Sequence, residues 1–203
     1  MLSGAPIRNQ SFSWDMMVNF SKNVNKVVRL SERLKTAVLG DDRQVLETVE
    51  EGKSFGEMYM AEWSKDAQGR RLVSPAGVPI LTGKTAYAGN YNPNYMLGVN
   101  NSFSFKNLNL SFLLDYRNGG TVVAGTLAAM DVSGNSKNSL QYRETGIVVD
   151  GYTTAGVKNT TSISGERYWQ SLGNRTPAKD FYAFSATNLR LREVVLGYKI
   201  PNQ

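Results

Sequence analysis

The sequence predicts an all-β fold, an antiparallel open curved sheet of about six to eight strands carrying long loops. Three observations predict it. Two adjacent segments alternate apolar and polar residues with period two and close on a two-residue turn. The connections are unequal, one very short and two very long. The composition is rich in turn and strand formers, with 19 Gly, 10 Tyr, 8 Phe and 3 Trp in 203 residues.

The alternating segments come first. From Tyr95 to Phe105 the odd positions read Tyr95, Leu97, Val99, Asn101, Phe103, Phe105. From Leu108 to Tyr116 the even positions read Leu108, Leu110, Phe112, Leu114, Tyr116. With Lys106-Asn107 as the turn, Phe105 faces Leu108, Phe103 faces Leu110, Asn101 faces Phe112, Val99 faces Leu114 and Leu97 faces Tyr116. All apolar partners fall on one face, and Asn101 alone breaks it. A slip of one residue would scramble that face, so pattern and turn length agree. Each arm has roughly 9 to 11 residues, the length of a tilted strand crossing a bilayer.

The remaining strands follow the same logic with weaker patterns. Trp14, Met16, Val18 and Phe20 alternate with Asp15, Met17 and Asn19. Phe55 to Trp63 is aromatic-rich and follows Gly52. Near the end, Leu189, Leu191 and Val195 share one parity, and Val194, Leu196, Tyr198 and Ile200 share the other. That change of parity near Glu193 predicts a bulge or a break. Asp41 to Glu51 reads as a short helix. Ser64 to Asn94, with Pro75, Pro79 and Pro93, and Asn118 to Asp180, rich in Gly, Ser, Thr and Asn, read as long loops.

Composition removes several functions. There is no Cys and no His, which excludes disulfides, thiolate chemistry, a Ser-His-Asp triad, His-ligated zinc and haem. No cofactor is expected. No run of about 18 apolar residues exists, so a membrane helix is not expected, while a barrel is compatible with the negative mean hydropathy. The net charge of +6 is scattered. Its densest cluster, Arg29 to Lys35, is interrupted by Glu32, so no nucleic-acid partner is expected.

Other motifs reduce to bland readings. Gly77 to Thr85 places five residues between its glycines where a P-loop has four, and Pro79 stiffens it. Asp66-Ala67-Gln68-Gly69 lacks the alternating ligands and closing Glu of a calcium loop. Asp41-Asp42 and Glu50-Glu51 are adjacent carboxylates, which cannot flank a glycosidic bond at a set separation. No catalytic, metal or cofactor residue is nominated, and the chain reads as a non-enzyme.

Several segments, in order, resemble the SusC/RagA family of TonB-linked outer-membrane proteins. They are Trp14 to Phe20; Gly52 to Trp63; Gly89-Asn90-Tyr91-Asn92-Pro93-Asn94-Tyr95; Asn101 to Phe105 with Leu110 to Gly120; Gly146 to Gly151 with Tyr168-Trp169; and Ala186 to Pro201, which contains Leu191-Arg192-Glu193-Val194-Val195-Leu196-Gly197-Tyr198. The resemblance spans nearly the whole chain. It implies that residues 1–203 are an incomplete segment of one TonB-dependent receptor β-barrel domain, a partial transmembrane barrel, with signal peptide, plug and final strands absent and the chain stopping at Gln203. The parent protein would import large nutrients, oligosaccharide or peptide, across a Gram-negative outer membrane with a SusD-like surface lipoprotein and the TonB complex. The segment would form barrel wall and extracellular loops.

In that barrel, Leu97, Val99, Phe103, Phe105, Leu108, Leu110, Phe112, Leu114 and Tyr116 are the expected lipid-facing residues. Asn100, Ser102, Ser104, Asn109, Ser111, Asp115 and Arg117 are the expected lumen-facing residues. Tyr87, Tyr91, Tyr168 and Trp169 fall in expected loops and are not nominated as a cargo site. The competing reading is a soluble all-β carbohydrate-binding module, whose two-sheet core uses the same alternation.

Overall fold

The structure is a computed structural model that describes residues 1–42 and 44–201. Its strands are β1 (Leu2–Arg8), β2 (Phe12–Ser21), β3 (Thr36–Asp41), β4 (Leu46–Glu50), β5 (Glu57–Met60), β6 (Ala86–Asn90), β7 (Tyr95–Phe105), β8 (Leu108–Asn118), β9 (Thr121–Val123), β10 (Ile147–Val148), β11 (Ser162–Ile163), β12 (Ala183–Ser185) and β13 (Asn188–Tyr198). Three short α-helices, α1 (Gly125–Val132), α2 (Gly165–Gly173) and α3 (Lys179–Tyr182), and a 3-10 turn at Asn138–Leu140 complete the element order. The fold is all-β, antiparallel and open, with no closed barrel among the described residues. No described helix is long and apolar enough to cross a membrane. The chain divides into two compact units.

Unit 1 is one sheet of order β1-β2-β7-β8-β13. The β7–β8 hairpin has the predicted register: Phe105 pairs with Leu108, Phe103 with Leu110, Asn101 with Phe112, Val99 with Leu114 and Leu97 with Tyr116. Lys106 takes a positive φ of 52°, as the primed hairpin turns require at one or both central residues. Its backbone N–H donates to the Ser11 carbonyl at 2.9 Å, which anchors this non-glycine turn to the neighbouring β1–β2 turn. That turn is itself closed by Asn9, whose Oδ1 accepts from the Ser11 and Phe12 N–H groups at 3.1 and 2.8 Å. The expected strand over Trp14 to Phe20 is β2, in register with β7 from Phe12–Phe105 to Ser21–Met96. The parity change near Glu193 is a bulge: β13 shifts register against β8 between Leu191 and Glu193. Leu189, Leu191, Val194, Leu196 and Tyr198 therefore end on one face.

Unit 2 comprises residues 25–91 and 121–184. It holds the sheet of order β3-β4-β5-β6 and the two-stranded pair β10-β11. The large sheet of unit 1 thus has five strands, because the strands of residues 36–90 form a sheet of their own. The expected helix over Asp41 to Glu51 is not present: Leu46–Glu50 is a strand between β3 and β5, and Arg43 lies outside the described residues. The segment pairs with β3 on one side and β5 on the other, and these two ladders decide against the helix.

The stretch Asn118 to Asp180, expected as loop, carries α1, α2 and part of α3. Helix α2 starts at Ser164, whose side chain accepts from the Arg167 N–H at 3.2 Å. Its Tyr168, Trp169 and Leu172 are buried. They join Met58, Met60, Trp63, Val73 and Tyr182 in one hydrophobic cluster. Residues about a hundred positions apart supply this core together.

Candidate functional site

The two faces of the five-stranded sheet form the candidate site. On one face, β7 contributes Leu97, Val99, Phe103 and Phe105, and β8 contributes Leu108, Leu110, Phe112, Leu114 and Tyr116. The flanking strands extend it. Trp14, Met16, Val18 and Phe20 sit beside Phe103, Asn101, Val99 and Leu97, and Val194 and Leu196 sit beside Phe112 and Leu110. An aromatic ladder crosses the face: Trp14 stacks on Phe103 at 5.7 Å, and Phe103 on Phe112 at 5.9 Å. Among the described residues, unit 1 contains no second layer over this face. Phe105, Leu108 and Leu110 are 51%, 45% and 38% exposed.

Asn101, the one polar residue in the apolar pattern, is buried and has a partner on the next strand. The Trp14 indole Nε1–H donates to its Oδ1 at 3.1 Å. An indole N–H in apolar surroundings needs an acceptor, and Asn101 supplies it. The sequence offered no signal for this pair, because Trp14 and Asn101 are 87 positions apart.

The opposite face collects Asn100, Ser102, Ser104, Asn109, Ser111, Asp115 and Arg117, by the period-two geometry of the same ladder. Asp115 and Arg117 lie on one strand, but the ion pair of Asp115 is with Arg192 of β13, at 2.8 Å. Arg192 is the extra residue of the β13 bulge, which turns its side chain to this face. Arg8 pairs with Asp15 at 2.8 Å in the same way. The polar face also has an apolar element that alternation did not nominate. Met17, Met96 and Leu113 line a shallow hollow of about 550 Å³ with Asn100, Asp115 and Arg192.

Unit 2 accounts for the other motifs. Tyr168 and Trp169, expected in loop, are core residues of α2. Tyr87 is on β6 in edge contact with Tyr59 at 5.7 Å; burial, followed by a hydrogen bond to Glu57, pushes its hydroxyl up to about 12. Tyr91 makes an edge contact with Phe55 at 6.4 Å. The Asp66 carboxylate accepts from Arg70 Nε at 2.7 Å and from the Gln68 and Arg70 N–H groups, closing a turn. Lys84, at the end of the P-loop lookalike, pairs with Asp41. Glu50 and Glu51 pair with Lys53 and Lys35 at 2.7 and 2.6 Å. The hydrogen bonds from Lys53 and Tyr59 hold the Glu50 carboxyl below its ordinary range. Among the described residues no three Asp or Glu side chains converge as metal ligands.

A single antiparallel layer with one apolar and one polar face is the sheet type of a barrel wall with lipid on one side and water on the other. No family model matches the chain. The chain is similar to the TonB-dependent receptor P3 of Formosa agariphila, 22% identical over 227 residues, covering 96% of this chain and 20% of that protein. It thus spans about a fifth of that relative's length. The likeness points to TonB-dependent receptors as a group and does not reach the SusC/RagA branch within it.

Proposed function

We propose that the chain is a segment of the barrel domain of a TonB-dependent outer-membrane transporter in the SusC/RagA branch. The observation that carries this reading is the single five-stranded layer of unit 1, whose apolar face continues across its strands. A soluble carbohydrate-binding module needs a second layer over that face, and unit 1 has none. The apolar face meets lipid and the polar face lines the lumen, where Asp115–Arg192 and Arg8–Asp15 lie among Ser and Asn side chains. Unit 2 supplies folded connections between strands.

In this reading the full protein imports a large nutrient, an oligosaccharide or a peptide. A SusD-like lipoprotein covers its outer side, and the TonB complex supplies energy from within. The segment contributes wall and external structure and performs no covalent chemistry.

Cysteine accessibility tests the two faces, since the chain has no native Cys. Single cysteines at 109, 110, 111 and 112 in the full protein are treated with a charged maleimide in intact outer membranes. Positions 109 and 111 should react, whereas 110 and 112 should react with a lipid-soluble reagent alone. Equal labelling of all four by the charged reagent would remove the lipid–lumen assignment.

A further inference from the structure

The strand β3 is an edge of the unit 2 sheet, and among the described residues no strand pairs with its outward side. The Glu51 N–H donates to the Lys35 carbonyl at 3.0 Å. Antiparallel strands alternate bonded and outward residues, so Lys35 and Ala37 face β4 while the backbone groups of Thr36 and Val38 point away from it. The register shift between Val38 and Gly40 ends this open stretch. The side chains around it are apolar and exposed: Val28, Leu34, Val38 and Leu39 are each about half exposed or more.

The same segment is basic. Residues 26–39 contain Lys26, Arg29, Arg33 and Lys35 against the single acid Glu32. Arg29 is paired with Glu32 at 3.2 Å and Lys35 with Glu51 at 2.6 Å. Lys26 and Arg33 have no ion pair among the described residues. Both are exposed. Natural sheets commonly blunt an edge with charge, a bulge or a cover. Here the bulge lies after the open stretch, and the charges flank an apolar centre.

We propose that β3 is a docking edge for an acidic, extended segment of a partner protein, which adds as a further strand. Its main chain pairs with Thr36 and Val38, its apolar side chains cover Val38 and Leu39, and its carboxylates meet Arg33 and Lys26. Strand addition gives affinity through the main chain and specificity through side chains. A second copy of this chain is a poor occupant, because it brings like charges together. A lipid surface offers no ordered row of donors and acceptors to the open edge. The inference stands apart from the transporter reading, since it concerns unit 2 alone.

The test uses the full protein in detergent micelles and a fluorescent peptide of about ten residues alternating Glu and Val. A second peptide carries N-methyl groups on alternate amides. The acidic peptide should bind and the N-methylated one should not. The exposed double variant K26E/R33E, which leaves the packing intact, should weaken binding by about tenfold or more. Val38→Pro, which removes one outward N–H, should abolish it. Equal binding of both peptides would overturn the strand-addition mode. An unchanged affinity in K26E/R33E would overturn the acidic partner. Concentration-dependent dimers in sedimentation, dispersed by Val38→Pro, would assign the edge to a second copy instead. Anionic phosphatidylglycerol vesicles binding the wild type and Val38→Pro alike, with no peptide binding, would assign the segment to lipid.

Discussion

Replacing Phe112 by Arg and, separately, Ser111 by Arg puts the same charge on adjacent residues of β8 that point to opposite faces. Strand β8 has 11 residues, which span about 36 Å along the strand and about 25 Å when tilted by about 45°, the height of a barrel's apolar band. Phe112 lies within one residue of the strand's centre, between Asn101 and Val194. Arg at the bilayer midplane costs about 2–4 kcal/mol in a barrel. The lost ring contact with Phe103, at 5.9 Å, adds about 0.5–1.5 kcal/mol. Phe112→Arg should therefore destabilise the full protein by about 3–5 kcal/mol, and Ser111→Arg by about 0.5 kcal/mol or less.

The assay is reversible urea unfolding in lipid bilayers, read by tryptophan fluorescence. A buried protein core would also reject the Arg, so acyl-chain bromination supplies the second measurement. Trp14 lies on the apolar face, whereas Trp63 and Trp169 are buried in the unit 2 core. Brominated lipid should quench a component that disappears in Trp14→Phe. Costs for the two Arg variants within about 1 kcal/mol of each other, or no lipid quenching of Trp14, would refute the reasoning.

The Trp14–Asn101 hydrogen bond should behave as a coupled pair. Asn101→Leu should cost about 1–3 kcal/mol because the indole N–H loses its acceptor, while adding Trp14→Phe should recover much of that loss; an additive double-mutant cycle would contradict it. Asp115→Asn should change unfolding stability by about 1 kcal/mol or less, since the Arg192 pair is partly solvated, and the effect should shrink at high salt. In unit 2, Leu172→Ala should cost about 2–5 kcal/mol, seen as a lowered melting temperature with loss of near-UV circular dichroism. Burial, then the hydrogen bond to Asp131, raises the Tyr182 hydroxyl above its ordinary value. A raised pKa means the folded state holds the proton more tightly, so this contribution is complete below about pH 10 and falls as the pH climbs past it. Base-induced unfolding should begin at higher relative stability in Tyr182→Phe than a simple loss of packing predicts; an unchanged alkaline slope between pH 10 and 12 would count against the assignment.

Alternation with period two determined the β7–β8 hairpin outright. Leu97 through Tyr116 carry enough apolar contrast that a single register satisfies them, and each strand needs nothing beyond its neighbour. The parity change near Glu193 was legible for the same reason, but pattern alone left a bulge or a break; pairing of β13 with β8 on both sides of it makes it a bulge. The polar face was legible in kind, through Asn100, Ser102, Ser111 and Asp115, but its pairs were not. Arg192 reaches Asp115 across 77 positions, and the Trp14 indole finds Asn101 across 87; a one-dimensional pattern carries no such distance. Unit 2 depended most on tertiary structure. Residues 46–50 have no strong period of their own, and their strand is fixed by pairing with β3 and β5; residues 165–173 carry a helical face of Tyr168, Trp169 and Leu172, but its cover comes from the distant Met58, Met60 and Trp63. Local periodicity decides an element when the surface it faces is uniform along its length. Where the covering surface comes from distant residues, the fold itself makes the choice.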